Sequence, residues 1–306
     1  MKKLIKIDSS HKGMILESDI GYICNYACSY CPPSLHAGGE WIRYDDYMKF
    51  VKKVNPSTVI LLGGEPTLHP QITSIIKLIN EIGATITLVS NGYKNAKWWE
   101  EHNELIDDLV FSYHIENEDV DKFIEKVRAI TKTRLLIINF PILLDRFDEC
   151  VELAKKITSS CPDSYVSLKA IVGDGGFIGY TDEQYKIMSS LVSPSVINHK
   201  SDWSRSIKTY KHYSDDTVDT VTARQLISNK DFDYNGWKCW KGIDMLKTIP
   251  NGDIYKAPCE LVNSNEHPIG NLYDLENVNW ITEPQICKKK ECHCFTALKV
   301  IRKEKI

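Results

Sequence analysis

Residues 15–31 read Ile15-Leu16-Glu17-Ser18-Asp19-Ile20-Gly21-Tyr22-Ile23-Cys24-Asn25-Tyr26-Ala27-Cys28-Ser29-Tyr30-Cys31. The run Ile15–Gly21 has the composition of a strand. Three thiols follow it at a C-x3-C-x2-C spacing, which places them on a loop at a strand's carboxyl end. From this strand onward, short β-rich runs alternate with longer segments of helical spacing, the pattern of βα units on a parallel sheet. The remaining strands are expected at Thr58–Leu62, Ala84–Ser90, Leu109–Tyr113, Leu135–Phe140 and Tyr165–Ile171. Helices are expected at Tyr44–Val54, Gln71–Ile82, Lys97–Leu105, Val120–Ile130 and Phe147–Ser159, where apolar residues such as Ile72, Ile75, Ile76 and Ile79 recur three or four apart.

After a helix expected at Asp182–Leu191 the periodicity stops, and residues 201–238 read as a linker or bridging region between a core at 1–200 and a C-terminal module at 239–306. Within that module, Lys247–Tyr255 reads as a hairpin turning at Asn251-Gly252, a pair suited to positive φ at both positions. A chain of 306 residues can bury a substantial core without metal. A formal charge of −3 gives no sign of nucleic-acid or membrane-surface binding. No run approaches a membrane span and no apolar segment follows the Met1-Lys2-Lys3 start, so a cytoplasmic location is expected.

Ten cysteines in such a chain point away from disulfides. Three fall within residues 24–31 and five between 239 and 294, which points to metal, while Cys150 and Cys161 stand apart as core or surface thiols. A four-iron cluster takes four ligands, so three local thiolates leave one iron open to a substrate or cofactor. Three cysteines with a remote histidine also suit a structural zinc.

With an aromatic, Tyr30, just before the third cysteine, Cys24-x3-Cys28-x2-Cys31 resembles the radical S-adenosylmethionine superfamily. That resemblance implies a cofactor-binding 4Fe-4S cluster held by Cys24, Cys28 and Cys31, with S-adenosylmethionine on the open iron and Tyr30 beside its adenine. Reductive cleavage of the cofactor then yields a 5′-deoxyadenosyl radical, the electron coming from an external donor such as flavodoxin or ferredoxin. Leu61-Leu62-Gly63-Gly64-Glu65-Pro66-Thr67 follows the second strand and resembles the family's GGEP segment, whose glycines let backbone approach a ligand. The likeness makes Glu65 an acceptor for the cofactor's ammonium group. Ser90-Asn91-Gly92 ends the third strand and resembles the family's (T/S)NG. Ser112-Tyr113-His114 ends the fourth, where relatives commonly carry Ser-x-Asp, so His114 departs from the pattern. Asn139 and Lys169 end the fifth and sixth strands, and (β/α) sheets place their chemistry on such ends.

The later segment runs through Cys239, the hairpin, Cys259 and Cys287-x4-Cys292-x-Cys294. It resembles the SPASM extension and its shortened form, twitch, which implies a second, auxiliary 4Fe-4S cluster. Cys239, Cys259 and Cys287 are its expected ligands, with Cys292 or Cys294 the fourth. A four-cysteine zinc, or a mixed site using His267 or His293, is the alternative. Trp237, Trp240, Tyr255 and Trp280 are read as packing for a small module.

The expected architecture is therefore α/β: a partial, open (β/α)6 TIM-like barrel followed by a cysteine-rich auxiliary-cluster module. The expected reaction is hydrogen abstraction from a small-molecule or peptide substrate. Oxidation of a sugar- or cyclitol-like alcohol would follow, with the auxiliary cluster taking the electron and Lys169, His114 or Tyr22 as general base. The alternatives are a maturase of a ribosomally made peptide and, from another class, a zinc-binding interaction module. Against the maturase, only about 14 residues precede the first expected strand, too few for a fused leader-binding domain.

Overall fold

The computed structural model describes residues 2–33, 38–133, 135–173, 176–177, 179–190, 207–221, 226, 231–261, 266–289, 292 and 294–306. In chain order the strands are β1 (Leu4–Ser9), β2 (Ile15–Asp19), β3 (Thr58–Leu62), β4 (Thr85–Ser90), β5 (Asp108–Ser112), β6 (Leu135–Ile142), β7 (Tyr165–Ala170), β8 (Val172–Gly173) and β9 (Gly176–Phe177). There follow β10 (Thr209–Tyr213), β11 (Val218–Val221), β12 (Lys238–Cys239), β13 (Met245–Thr248), β14 (Asp253–Tyr255), β15 (Gly270–Asn271), β16 (Gln285–Ile286) and β17 (Lys303–Glu304). Helices are α1 (Tyr44–Val54), α2 (Ile72–Glu81), α3 (Ala96–His102), α4 (Val120–Arg128), α5 (Phe147–Ser160), α6 (Asp182–Ser190) and α7 (Phe295–Val300). None is long and apolar enough to cross a membrane. The six strands expected between residues 15 and 171 are β2 to β7. Leu191, the expected end of α6, and His293 lie outside the described residues.

The chain divides into two compact units, one comprising residues 19–41 and 60–200, the other 1–18, 42–59 and 201–306. In the first, β3 to β7 lie side by side in chain order, and β4 to β7 run parallel, with Val89 opposite Val110, Phe111 opposite Ile138 and Asn139 opposite Ser167. Their alternate residues are buried, as in Ile86, Leu88 and Ser90 of β4 and Leu136, Ile138, Phe140 and Ile142 of β6. Helix α2 buries Ile72, Ile75, Ile76, Leu78 and Ile79 on one stripe, as its spacing predicts. Trp99, Phe111, Phe123, Tyr113 and Phe140 form a chain of edge-to-face and tilted rings with centroids 4.5–5.9 Å apart, within the favoured range for aromatic pairs. Because β4 and β5 are parallel, the loops that follow them leave the same edge of the sheet.

The second unit holds a six-stranded sheet in the order β11-β10-β1-β17-β12-β16. It corrects two readings. The first strand of the chain is β1, not Ile15–Gly21, and it pairs antiparallel with β10, Ile7 opposite Lys211. In the stretch expected as linker, residues 207–221 form the hairpin β10–β11, Tyr210 opposite Thr220. Charged residues interrupt the alternation in all three strands, and β1 finds its partner β10 only some 200 residues away. Elsewhere in this unit β13 runs parallel to β2, Met245 opposite Ile15, and pairs antiparallel with β14. Here Lys247 Nζ meets Glu17 Oε1 at 3.2 Å in a buried ion pair, while Tyr47 and Thr248 hydroxyls both donate to Ser18 Oγ at 2.9 Å. The hairpin turn differs from its reading too: Gly252 alone has positive φ, +91°, because Ile249–Gly252 makes a four-residue connection closed by Gly252 N–H donating to Ile249 O.

Candidate functional site

The loop after β3 needs its glycines. Gly63 has φ +136°, and a Cβ there would sit 2.3 Å from Gly21 O, so no other residue fits without moving backbone. That close approach lets Gly64 N–H donate to Gly21 O and Glu65 N–H donate to Ile23 O, each at 2.8 Å. The Gly-Gly-Glu segment is thus hydrogen bonded to the chain that leads into Cys24.

Glu65 is fully buried. Its Oε1 accepts from Thr67 N–H at 2.9 Å, from the Thr67 hydroxyl and from Ser90 Oγ at 2.8 Å, and its Oε2 accepts from Asn91 N–H at 2.6 Å. Burial pushes its carboxyl up from the ordinary range, against these donors. Three of these donors crowd Oε1 and one meets Oε2, and together they bind the loop after β3 to the loop after β4. Asn91 in turn donates through Nδ2 to Asn25 Oδ1 at 3.0 Å and to Cys24 Sγ at 3.7 Å, while its Oδ1 is buried with no hydrogen-bond partner among the described residues.

The segment after β5 grips the cysteine loop from another side. Asn117 Nδ2 donates to Cys28 Sγ at 3.2 Å. Glu116 accepts from Ser29 N–H and Oγ at 2.9 and 2.7 Å, and Glu118 accepts from Tyr26 OH at 2.8 Å, its charge offset by Lys126 at 2.9 Å. His114 Nδ1 lies 2.5 Å from Tyr30 OH and 3.4 Å from Cys28 Sγ, its ring stacked on Tyr30. Burial lowers the His114 pKa to about 4, so its imidazole is neutral at pH 7. Burial also pushes the thiols of Cys24 and Cys31 up, and that of Cys28 up to about 11. Thiolates are the form that binds iron, so iron binding at this loop would release the thiol protons.

The structure therefore brings together Tyr30, Glu65, Ser90, Asn91 and His114 with Cys24 and Cys28. Ser112 stands on β5 opposite Asn139. Tyr22 OH donates to Asp19 Oδ2 at 3.2 Å, and Lys169 is exposed on β7. Asn25, Glu116, Asn117 and Glu118 were not among the expected site residues; their one signal in the sequence is a polar run just after a strand end. Among the described residues no three His, Cys, Asp or Glu side chains converge on a point suited to a single metal ion; a four-iron cluster takes one thiolate per iron.

In the other unit, Cys239, Cys259, Cys287 and Cys292 line one small cavity with Tyr234, Lys241, Lys289 and Lys303. Backbone bonds set two of these: Cys287 N–H donates to Trp237 O at 2.8 Å and Cys292 N–H to Phe232 O at 2.9 Å. Cys239 sits on β12 opposite Lys303 of β17, and Cys259 on a short 3-10 turn, Pro258–Glu260. Burial pushes Cys259 up to about 12 and raises Cys239 and Cys292. Cys294 does not line this cavity: it is the N-cap of α7, its Sγ accepting from Ala297 N–H at 3.5 Å. Trp237 packs against a core of Ile7, Leu226, Tyr234 and Leu298, Trp240 carries Arg302 over its ring at 5.2 Å, and Trp280 stacks on Phe50.

A family profile described as the Radical SAM superfamily matches residues 19–174. An S-adenosylmethionine-dependent nucleotide dehydratase of Thermoplasmatales archaeon (strain ISO4-H5) is 28% identical over 92 residues, 28% of this chain and 32% of that protein. A probable GTP 3′,8-cyclase of Pyrobaculum aerophilum is 36% identical over 81 residues, 24% of this chain and 26% of that protein. The chain thus spans about a third or less of the length of these curated relatives. In fold it is similar to Streptococcus suis SuiB bound to S-adenosylmethionine (TM-score 0.58, 14% identity, 88% of this chain and 65% of that one). It is also similar to anSMEcpe with bound AdoMet and a Cp18Cys peptide (TM-score 0.53, 12% identity, 87% and 80%). Both structures share its mixed α/β arrangement of sheets and helices.

Proposed function

The chain belongs to the radical S-adenosylmethionine superfamily, and on that premise we propose that it cleaves this cofactor at Cys24, Cys28 and Cys31 and abstracts hydrogen from a substrate that it then oxidises. Membership implies an enzyme with a 4Fe-4S cluster and S-adenosylmethionine. When bound, the two together supply a hydrogen-abstracting radical from the cofactor's 5′ carbon. The observation that carries the reading is the set of polar contacts on the cysteine loop: Cys24 is met by Asn91 from the end of β4, and Cys28 by Asn117 and His114 from the end of β5. The chain-order succession of β3 to β7, with β4 to β7 parallel, supports a partial (β/α)6 barrel as the frame.

The residues present fit the cofactor. The Asn91 Oδ1 acceptor would take a donor such as the cofactor's ammonium group. Glu65, to which the family resemblance gives that task, accepts from Thr67, Ser90 and Asn91, so its side chain also holds the two loops in register. Neutral His114 orients Tyr30 through their hydrogen bond and serves the cysteine loop. Tyr22, tied to Asp19, and Lys169 are then the groups for accepting the proton of an oxidised substrate.

A second four-iron cluster, bound by Cys239, Cys259, Cys287 and Cys292 as a SPASM- or twitch-like module, would take the substrate's electron. The cavity these four share supports that ligand set, with Cys294 as a helix cap. For the substrate, a sugar- or cyclitol-like alcohol suits oxidation. A peptide is favoured by a different observation: the fold likeness extends over 87% of the chain to an enzyme with a peptide bound. Flavodoxin or ferredoxin would donate the first electron.

The test is anaerobic reconstitution with iron and sulfide. About eight irons per chain are expected, falling by half in the triple Cys24/Cys28/Cys31→Ala variant, which makes no 5′-deoxyadenosine. About four irons in the parent with one tightly held zinc would sink the two-cluster reading; deoxyadenosine from the triple variant would sink the first site.

A further inference from the structure

The four-cysteine cavity is unusual for what else lines it. Lys303 is only 1% exposed. Its three ammonium hydrogens are taken by the carbonyls of Ala297, Leu298 and Ile301, at 3.1, 3.2 and 2.8 Å, which exhausts its donors. Among the described residues no carboxylate pairs with it; its other neighbour is the Tyr234 ring, 5.0 Å away. Buried charges are ordinarily paired with an opposite charge, and carbonyl dipoles at the end of the six-residue α7 supply only part of one.

Lys241, on the same cavity, is also buried and meets Glu260 Oε1 at 2.9 Å, but Lys256 meets that same oxygen at 3.1 Å. One carboxylate therefore serves two lysines. Lys289 has its own partner, Glu266, at 3.6 Å. The protein groups around the cavity thus carry an excess of positive charge, and the sulfurs of Cys239, Cys259, Cys287 and Cys292 that line it with them would become anionic on binding iron.

We propose that Lys303, together with Lys241, is the built-in counter-charge of the auxiliary cluster and raises its readiness to take up an electron. This rests on the second-cluster reading above. The physics is direct: uptake of one electron makes a thiolate-bound cluster one charge more negative, and fixed cations beside it stabilise the reduced form more than the oxidised form. Net charge is among the determinants of such potentials. An acceptor of a substrate's electron needs that bias, whereas a structural zinc changes no charge.

The experiment uses the full chain with Cys24, Cys28 and Cys31 all changed to Ala, reconstituted with iron and sulfide, so that only the second site is loaded. Its potential is read by an EPR-monitored titration with dithionite. Lys303→Met is expected to keep about four irons and to reduce at a lower potential than its parent, while Lys303→Arg, which keeps the charge, reduces near the parent value. Lys241→Gln is expected to shift the potential in the same direction. If Lys303→Met keeps its iron and the parent's potential, or if the Arg variant falls as far as the Met variant, the inference is overturned. Should Lys303→Met fail to load iron, Lys241→Gln decides: an unshifted potential there overturns the inference, and a lowered one upholds it. A parent that binds no iron at this site takes down the second-cluster reading itself, and the inference with it, whereas bound iron with potentials indifferent to both lysines takes down the inference alone.

Discussion

Asn117 Nδ2 donates to Cys28 Sγ at 3.2 Å although 89 residues separate the two in sequence. The bond ties the segment after β5 to the middle thiol of the cysteine loop, and it acts on the sulfur that would carry iron. Hydrogen bonds to cluster sulfurs raise the potential. Asn117→Ala should therefore lower the first cluster's potential and slow reductive cleavage of S-adenosylmethionine. Loss of a hydrogen bond to a charged group is worth about 1.5–3 kcal/mol, a fall of roughly tenfold or more in rate if all of it enters the barrier. Deoxyadenosine formation under excess dithionite measures it; a parent-like rate with full iron content would remove Asn117 from the site.

Glu65 is expected to act as a structural pin. Glu65→Ala leaves the buried N–H groups of Thr67 and Asn91 without acceptors, which should cost on the order of 3 kcal/mol of folding stability in the absence of cofactor. Urea unfolding of the apoprotein tests this. If the variant is as stable as its parent and only cofactor affinity falls, Glu65 is a ligand contact instead.

Gly63→Ala combines a left-handed φ with a Cβ 2.3 Å from the Gly21 carbonyl. The backbone pairing of Gly64 and Glu65 with residues 21–23 must then part. We expect a loss of roughly 2–4 kcal/mol and poor retention of the first cluster. Unfolding midpoints and iron content together check it, and a neutral substitution would show that the two segments are not in this contact.

Cys292→Ser and Cys294→Ser should behave oppositely. The first removes a thiol from the shared cavity and is expected to lose the second cluster. The second keeps an N-cap, since serine is a favoured one, and should keep the iron of the parent. Iron analysis of both variants, with the first site intact, decides it; loss of about four irons from Cys294→Ser would overturn the ligand set.

Cys150 and Cys161 should resist alkylation. Burial raises the thiol of Cys150 and pushes that of Cys161 up to about 11, and the thiolate is the reactive form. At pH 8 Cys161 is almost wholly in the unreactive thiol form, and its labelling should climb as pH rises toward 11. Iodoacetamide followed by peptide mapping reads both sites. Rapid labelling of either at pH 8 would contradict its burial.

Local pattern was enough wherever a short stretch carried its own physics. The stripe Ile72, Ile75, Ile76, Ile79 specifies α2 because a 3.6-residue repeat leaves one apolar face, and the alternation in Thr85–Ser90 specifies β4 for the matching reason. The three thiols of Cys24–Cys31 and the glycines of Gly63-Gly64 were legible because spacing and residue type by themselves state the chemistry. Strand β1 and the hairpin β10–β11 were missed, since their lysines and aspartates blur the alternation, and the partners of β1 lie far off in sequence.

The candidate site divides along the same line. The sequence by itself determined the parallel βα order, the two cysteine groups and the family, because each is a matter of composition and spacing within a few tens of residues. Only the tertiary structure decided that Glu65 accepts from Thr67, Ser90 and Asn91, that Glu116, Asn117 and Glu118 grip the cysteine loop, and that Cys294 caps a helix while Cys292 shares the cavity with Lys303. Each of these depends on which donor lies within about 3 Å of which acceptor, and chain spacing does not encode distances between groups that folding brings together from separate strands.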